Sequence, residues 1–341
     1  MIPMNLNAIW FCLIGVLFAG YAILDGFDLG VGILHLFARN DEERRTHFNA
    51  IGPFWDGNEV WLLTAGGALF AAFPVVYATV FSSFYLAIMG LLVFLILRAV
   101  SLEFRGKVDS PRWRAVWDRA FGFGSLVPAF LYGVAVGNIL RGIPLDGGGA
   151  FTGSFIGLLN PYALLVGVLI MAAFAMQGTA YLCLKARGEL LARMERLMPR
   201  IWMVFVFVYL AATLATIAAS PYLFDGVLAK PLFWIFCALL LASIAAVPAA
   251  AVRKRHLGTF LATSATILSM VGVTGVSLFP TLVMSSTDPA NSLTIYNAAS
   301  TAKTLTVMLV IALVGMPIVI AYTAYIYRVF KGRVIITEES L

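Results

Sequence analysis

Polar positions are scarce in this chain and gather between nine apolar runs, at residues 7–27, 57–74, 79–98, 121–140, 161–183, 201–219, 232–252, 259–280 and 304–327. Each run comes close to the roughly 20 residues that carry a helix across a bilayer. The pattern therefore predicts an all-α membrane protein with nine transmembrane helices. The second run is the weakest. It has Glu59 near its start and is separated from the third only by Pro74 to Ala78. At about 1.5 Å per residue it just spans the hydrocarbon.

Basic residues arbitrate the count. With nine spans and the N-terminus outside, 20 of the 23 Lys and Arg residues fall on the inner side, and only Arg141, Lys230 and Lys303 fall outside. Merging the second and third runs moves Arg39, Arg44 and Arg45 outward and leaves 17 against 6. The larger bias is the one membrane proteins show, so the N-terminus is expected to be periplasmic and the C-terminus cytoplasmic. Lys185 to Arg200 reads as a charged helix extension on the inner side. The outer loops carry turn formers, as in Asp146-Gly147-Gly148-Gly149 and Ser285-Ser286-Thr287-Asp288-Pro289. No internal repeat is evident. The loops leave no room for an extramembrane domain, so residues 1–341 read as a single integral membrane domain.

Composition agrees with the pattern. The chain is 61% hydrophobic and 12% charged, far from the balance of a soluble domain. Its net charge of +6 follows from the loop arginines and lysines and is no signal for nucleic acid. Met1 to Ile9 lacks the positive charge of a cleavable signal peptide, which predicts a retained first helix. Cys12, Cys183 and Cys237 lie within apolar runs without metal-type spacing and read as buried thiols. No metal site is expected.

Two acidic clusters break the apolar pattern. Asp25-Gly26-Phe27-Asp28-Leu29-Gly30 closes the first run. Trp55-Asp56-Gly57-Asn58-Glu59 opens the second. In the nine-span topology both clusters lie on the cytoplasmic side. Each acid pair has i, i+3 spacing, which puts its carboxylates on one helix face. Ionisable groups in a membrane are expensive and functional by default, and a row of acids in a low dielectric can take up and pass on protons. The four acids can thus form a proton entrance. The alternative is that they sit at the water interface, cap helices or pair with Arg39, Arg44 or Arg45. Asn58 can support either reading. Gly20, Gly26, Gly30 and Gly32 permit close helix approach. Arg98 and Glu103, at the end of the third run, read as an interfacial ion pair or a snorkelling arginine. Asn138, Gln177 and Tyr181 are expected to bond between helices, and Gln177 alternatively to line a water path. Aromatics near the run ends read as interfacial belts. His35, His47 and His256 fall in or beside inner loops, and none in a membrane core. Haem usually takes an axial histidine, so this chain is expected to bind no haem itself.

The motifs Asp25-Gly26-Phe27-Asp28-Leu29-Gly30-Val31-Gly32, Trp55-Asp56-Gly57-Asn58-Glu59-Val60-Trp61-Leu62 and Thr64-Ala65-Gly66-Gly67-Ala68-Leu69-Phe70 resemble subunit II of the cytochrome bd quinol oxidases. Gly137-Asn138, Leu159-Asn160-Pro161, Gln177 to Leu182, Phe279-Pro280 and Ser285-Ser286-Thr287 extend the resemblance along essentially the whole chain. It implies nine helices arranged as two four-helix bundles plus one peripheral helix. It also implies a pseudo-twofold heterodimer with subunit I, in which that partner holds haems b558, b595 and d. The complex would oxidise quinol and reduce dioxygen to water in the bacterial cytoplasmic membrane. No catalytic residue would lie in this chain. Asp25 and Asp56 would line a cytoplasmic proton path flanked by Trp55, with Asp28, Asn58 and Glu59 beside it. Glu59 stands where some members carry an amide. The loop Ser220–Pro231 is shorter than in some relatives that hold a structural quinone, so such a quinone is left open here, as are small accessory subunits. A proton-coupled transporter, or a structural partner with no proton role, are the rival readings. The transporter would need a polar midplane site, and the run centres hold few candidates.

Overall fold

A computed structural model describes residues 5–335. The ends of the 1–341 domain, including Met1 to Met4 of the segment weighed as a signal peptide, lie outside the described residues. Among those residues there are twelve α-helices: α1 (Leu6–His35), α2 (Asp41–Ile51), α3 (Trp55–Ala72), α4 (Pro74–Ser83), α5 (Tyr85–Phe104), α6 (Pro111–Arg141), α7 (Phe155–Leu158), α8 (Pro161–Lys185), α9 (Gly188–Ala219), α10 (Pro231–Val252), α11 (His256–Leu278) and α12 (Ala302–Val329).

Local sequence explains where they start. Asn5, Asn40, Ser110, Asn160 and Thr301 each cap a helix with a side-chain oxygen, satisfying amides the helix leaves free. Pro111 and Pro161 occupy the first helical turn, where the missing N–H does no harm. Asp41, Glu42 and Glu43 sit in the first turn of α2, on the positive end of its dipole. Pro128, Pro199, Pro248 and Pro317 lie inside long helices, as membrane helices tolerate.

Eight helices, α1, α5, α6 and α8 to α12, are long and apolar enough to cross a bilayer. The ninth expected span, α3, forms as an 18-residue helix, but its polar start keeps it below that standard. The expected third span also differs. The chain bends at Phe84, so a ten-residue helix, α4, precedes α5. The first run continues to His35 rather than closing at Phe27, because Leu29, Val31, Ile33 and Leu34 keep the helix apolar beyond the acids. The charged extension expected at Lys185 to Arg200 is the start of α9, after a break at Ala186–Arg187.

Helix α8 is the centre of the packing. Of its apolar window 67% is buried, against 6% for α12. It meets α1, α6, α9 and α11. Two close crossings depend on absent side chains. A Cβ on Gly30 or on Gly178 would collide with the backbone of the other helix, α8 or α1, and a Cβ on Gly133 of α6 would meet the backbone of Val166 and Gly167 on α8. Helices α3 and α6 pack on α1, with α5 against α6, whereas α9 and α11 pack on α8, with α10 against α11 and α9. The interhelical bonds expected from sequence form: Asn138 Nδ2 donates to Leu158 O at 2.8 Å, Gln177 Nε2 to Ser264 Oγ at 2.8 Å, and Tyr181 OH to Ala50 O at 2.8 Å. At the end opposite α2, strands β1 (Thr281–Val283) and β2 (Leu293–Thr294) pair antiparallel. There Ile143 N–H donates to Met284 O at 3.0 Å and Thr287 Oγ1 to Leu145 O at 2.6 Å, so the two turn-rich loops lock together.

Candidate functional site: a buried acid–arginine centre

Asp25 and Asp28 are one turn apart on α1 and both are fully buried. Their carboxylates face α5, where Arg98 is equally buried. Arg98 Nη2 donates to Asp25 Oδ1 at 2.6 Å and lies 4.0 Å from Asp28 Oδ2. The reading of Arg98 as an interfacial or snorkelling residue beside Glu103 is thus corrected: Glu103 is exposed, and Arg98 turns inward to the acids. The reason is electrostatic. Two carboxylates in a dry interior need a cation, and α5 supplies it where Gly124 of α6 lets the Arg98 backbone approach. The acids' suggested partners Arg39, Arg44 and Arg45 take no part in this ion pair.

Helix α3 closes the centre. Asn58 Nδ2 donates to Asp28 Oδ2 at 2.8 Å, and its Oδ1 accepts from Tyr327 OH of α12 at 3.0 Å. Among the described residues, Asp25 Oδ2, Asp28 Oδ1, and Arg98 Nε and Nη1 have no protein partner. Glu59 is half-buried, within Coulombic reach of Arg98 and Asp25. Trp55 is half-buried in the apolar cluster around Phe54 and Tyr181. Asp56 does not join the centre. It is exposed on the outward face of α3, in line with Val60, Thr64, Gly67 and Phe70. Trp61, on the inward side, packs its ring over Gly20.

Sequence reasoning missed two further polar groups on the same helices. One turn from Asp25, Tyr21 OH donates to Tyr132 OH of α6 at 2.8 Å. At the other end of α1, buried Asp118 of α6 accepts from three sides: His35 Nε2 at 3.0 Å, Arg105 Nε at 2.6 Å and Arg44 Nη1 at 2.7 Å. His47 of α2 is buried against His35, with ring centroids 5.5 Å apart and neither ring nitrogen bonded. Burial holds its pKa well below the usual histidine range, helped by His35, Arg193 and Arg44 nearby. The recoverable signal was an aspartate, Asp118, in the polar first turns of a span otherwise flanked by arginines. Among the described residues no group of three or more His, Cys, Asp or Glu side chains can hold a metal ion.

The family model for cytochrome bd terminal oxidase subunit II matches residues 6–330. The chain belongs to this family. It is similar to the cytochrome bd ubiquinol oxidase subunit 2 of Bacillus subtilis, with 40% identity covering 97% of both chains. It is also similar to the cytochrome bd-I ubiquinol oxidase subunit 2 of Escherichia coli K12, with 37% identity over 98% of this chain and 96% of the relative. Its fold matches a chain of the bd oxidase structure from Geobacillus thermodenitrificans, with a TM-score of 0.81 at 17% identity, over 96% of this chain and 99% of that one. As a bd oxidase subunit II it is a multi-pass protein of the bacterial cytoplasmic membrane and part of a terminal oxidase. The two acids and the amide of the centre come from two of the three motifs that carry the family resemblance, and Arg98 lies outside them.

Proposed function

We propose that this chain is the haem-free subunit of a quinol:dioxygen oxidoreductase, that it stabilises subunit I, and that it carries protons from the cytoplasm toward the site of oxygen reduction. The observation that carries this reading is the Asp25–Asp28–Arg98 centre. Two buried carboxylates share one guanidinium, so the centre is short of one positive charge, and a proton supplies it most cheaply in a low dielectric. Four polar atoms of the centre without protein partners leave lone pairs and N–H groups through which a proton can be exchanged by water.

The route runs from exposed Asp56, past Glu59 and the flanking Trp55, to Asn58 and Asp28, and then to Asp25. Asn58 bonds both Asp28 and Tyr327, which fixes α3 against the centre. Asp56 serves as collector because it is the exposed acid on that helix. The outward face of α3, with Gly57, Gly66 and Gly67 open around it, suits a protein neighbour better than lipid, since small residues favour close helix approach in membranes. Subunit I is the partner we assign to it, in a pseudo-twofold heterodimer. In this reading residues 1–341 form one integral membrane domain. Helix α3 makes the ninth crossing, the N-terminus is periplasmic and the C-terminus cytoplasmic. Two four-helix groups flank the α1–α8 contact, and α12 is peripheral.

His35 does not fit an axial haem role. His35 bonds Asp118, and the cavity it lines holds about 180 Å³, below the size of ordinary cofactor pockets. We assign haems b558, b595 and d to subunit I, where they supply electron transfer and oxygen chemistry. Quinol oxidised on the periplasmic side and protons drawn from the cytoplasm make turnover electrogenic without a pump. Lipid, small accessory subunits and a structural quinone complete the environment we assign. The test is Asp25→Asn in a complex co-expressed with subunit I. The expected result is a loss of quinol oxidase turnover of at least about tenfold at unchanged haem content. Native turnover at normal haem content would reject the proton role.

A further inference from the structure

We propose that a second proton entrance opens at the cavity beside His35 and Asp118 and feeds the Asp25–Arg98 centre in parallel with the Asp56 mouth, an inference that rests on the function proposed above. Its basis is a repeat of polar residues every seven positions on three neighbouring helices: Tyr21, Asp28 and His35 on α1, Arg98 and Arg105 along α5 and its cap, and Asp118, Ser125 and Tyr132 on α6. Seven residues are nearly two helical turns, so each set keeps one face with about 20° of drift per step. Each step rises about 10 Å.

Where these faces meet, they form successive layers. His35, Asp118 and Arg105 bond at 3.0 and 2.6 Å. Arg98 holds Asp25 at 2.6 Å in the next layer. Tyr21 and Tyr132 bond at 2.8 Å in the last. Between the first two layers, buried Ser125 Oγ presses against Gly32, and buried Ser101 lies on the adjoining turn of α5. The first layer meets a cavity of about 180 Å³ lined by His35, Arg44 and Asp118, with exposed Arg119 at its edge. This mouth lies between α1, α2 and α6, whereas Asp56 lies on α3.

The chemistry is proton relay, with no electron moved. Asp118, held by two guanidiniums, is an acceptor, so His35 Nε2 carries the hydrogen toward it. His35 Nδ1 then has a lone pair and no protein partner. It takes a proton from cavity water, forming an imidazolium beside Asp118. With Nε2–H staying on Asp118, Nδ1 releases the added proton again to water on the Ser125 side, which delivers it to the free Oδ1 of Asp28. His35 ends neutral, and one proton has moved from solvent to a carboxylate. The groups facing His35 are Arg44 and His47 from α2, with Arg193 of α9 beyond them, Asp118 from α6, and Arg105 with Asp41 behind it. Asp118 favours the imidazolium, and the arginines oppose it.

The experiment measures quinol oxidase turnover against pH in the haem-loaded complex with subunit I, for His35→Gln and Asp56→Asn alone and together. Glutamine keeps a donor toward Asp118 but cannot titrate. With Asp56 present, His35→Gln is expected to lower turnover by less than about threefold; in the Asp56→Asn complex it lowers the remaining turnover at least about tenfold and removes its dependence on pH around neutrality. A second variant needs no buried change: Arg119→Glu in the Asp56→Asn complex shifts the falling limb of the pH profile upward. The same factor for His35→Gln in both backgrounds, with unmoved pH profiles for both substitutions, overturns the second entrance. Native turnover in Asp25→Asn instead rejects the proton function itself, so the two failures are told apart.

Discussion

Asp25–Asp28 and Asp56–Glu59 are the same spacing of acids on two helices that touch, yet their surroundings are opposite. The α1 pair is sealed, shares the guanidinium of Arg98 and receives the amide of Asn58. The α3 pair splits, with Glu59 half-buried toward Arg98 and Asp56 at the surface. The difference comes from what lies outside each helix. Helix α1 is enclosed by α3, α6, α8 and α11, and α5 reaches it through Arg98, whereas among the described residues the outer face of α3 has no neighbour. Here an acid pair is buried as an ion pair where a third helix brings a cation. Without one it remains a contact with solvent or with a partner.

The largest effect should come from breaking the sealed side of this comparison. Arg98→Leu leaves two buried carboxylates without a cation, a loss of about 3–5 kcal/mol. The expected readout is failure of the complex to accumulate, measured as haem-containing complex per unit membrane, with partial recovery when Asp25→Asn is added. Gly30→Ala attacks the crossing that positions Asp25 and Asp28 against α8. Its Cβ would meet the Phe174 carbonyl and Gly178 backbone, a strain of about 1–3 kcal/mol, read as a lower thermal midpoint of the detergent-solubilised complex.

Acid should act next, through His47. Its folded pKa is depressed by burial, so the unfolded chain binds the extra proton. The contribution of neutral His47 to stability is complete above the unfolded value near 6.5 and is lost as pH falls below it, at about 1.4 kcal/mol per unit while only the unfolded state titrates. Midpoints of the native complex measured from pH 7.5 down to 5.5 should fall, and His47→Leu should flatten that dependence. The smallest effect belongs to the open acid. Asp56→Asn should change stability by less than about 0.5 kcal/mol, because among the described residues no ion pair holds the exposed side chain. A large loss on Asp56→Asn would mean that the two acid pairs are not as different as their burial indicates.

Much of this architecture is legible in the apolar runs, because a membrane helix must satisfy its own backbone and needs roughly 20 apolar residues to do so. The helix starts are legible too, in Asn160-Pro161 and Ser110-Pro111. The acids of the centre stand out because charge is rare in such runs. What the pattern hides is pairing. Arg98 sits near the end of a run, where an arginine commonly snorkels, and only the approach of α5 to α1 turns it inward. The extent of α1 is hidden for a related reason: polar Asp25 and Asp28 look like an end until a neighbouring cation makes their burial tolerable. Asp118 and His35 are likewise ordinary residues at span ends until three helices converge on them. Residue spacing within one helix is read directly from sequence, but contacts between helices depend on close crossings such as Gly30–Gly178.

The most direct test follows proton uptake itself. The fully reduced complex with subunit I is mixed with dioxygen, and uptake from the medium is recorded with a pH indicator for native chain and Asp25→Asn at equal haem content. The account predicts that uptake slows at least about tenfold in the variant. Uptake at the native rate would contradict it.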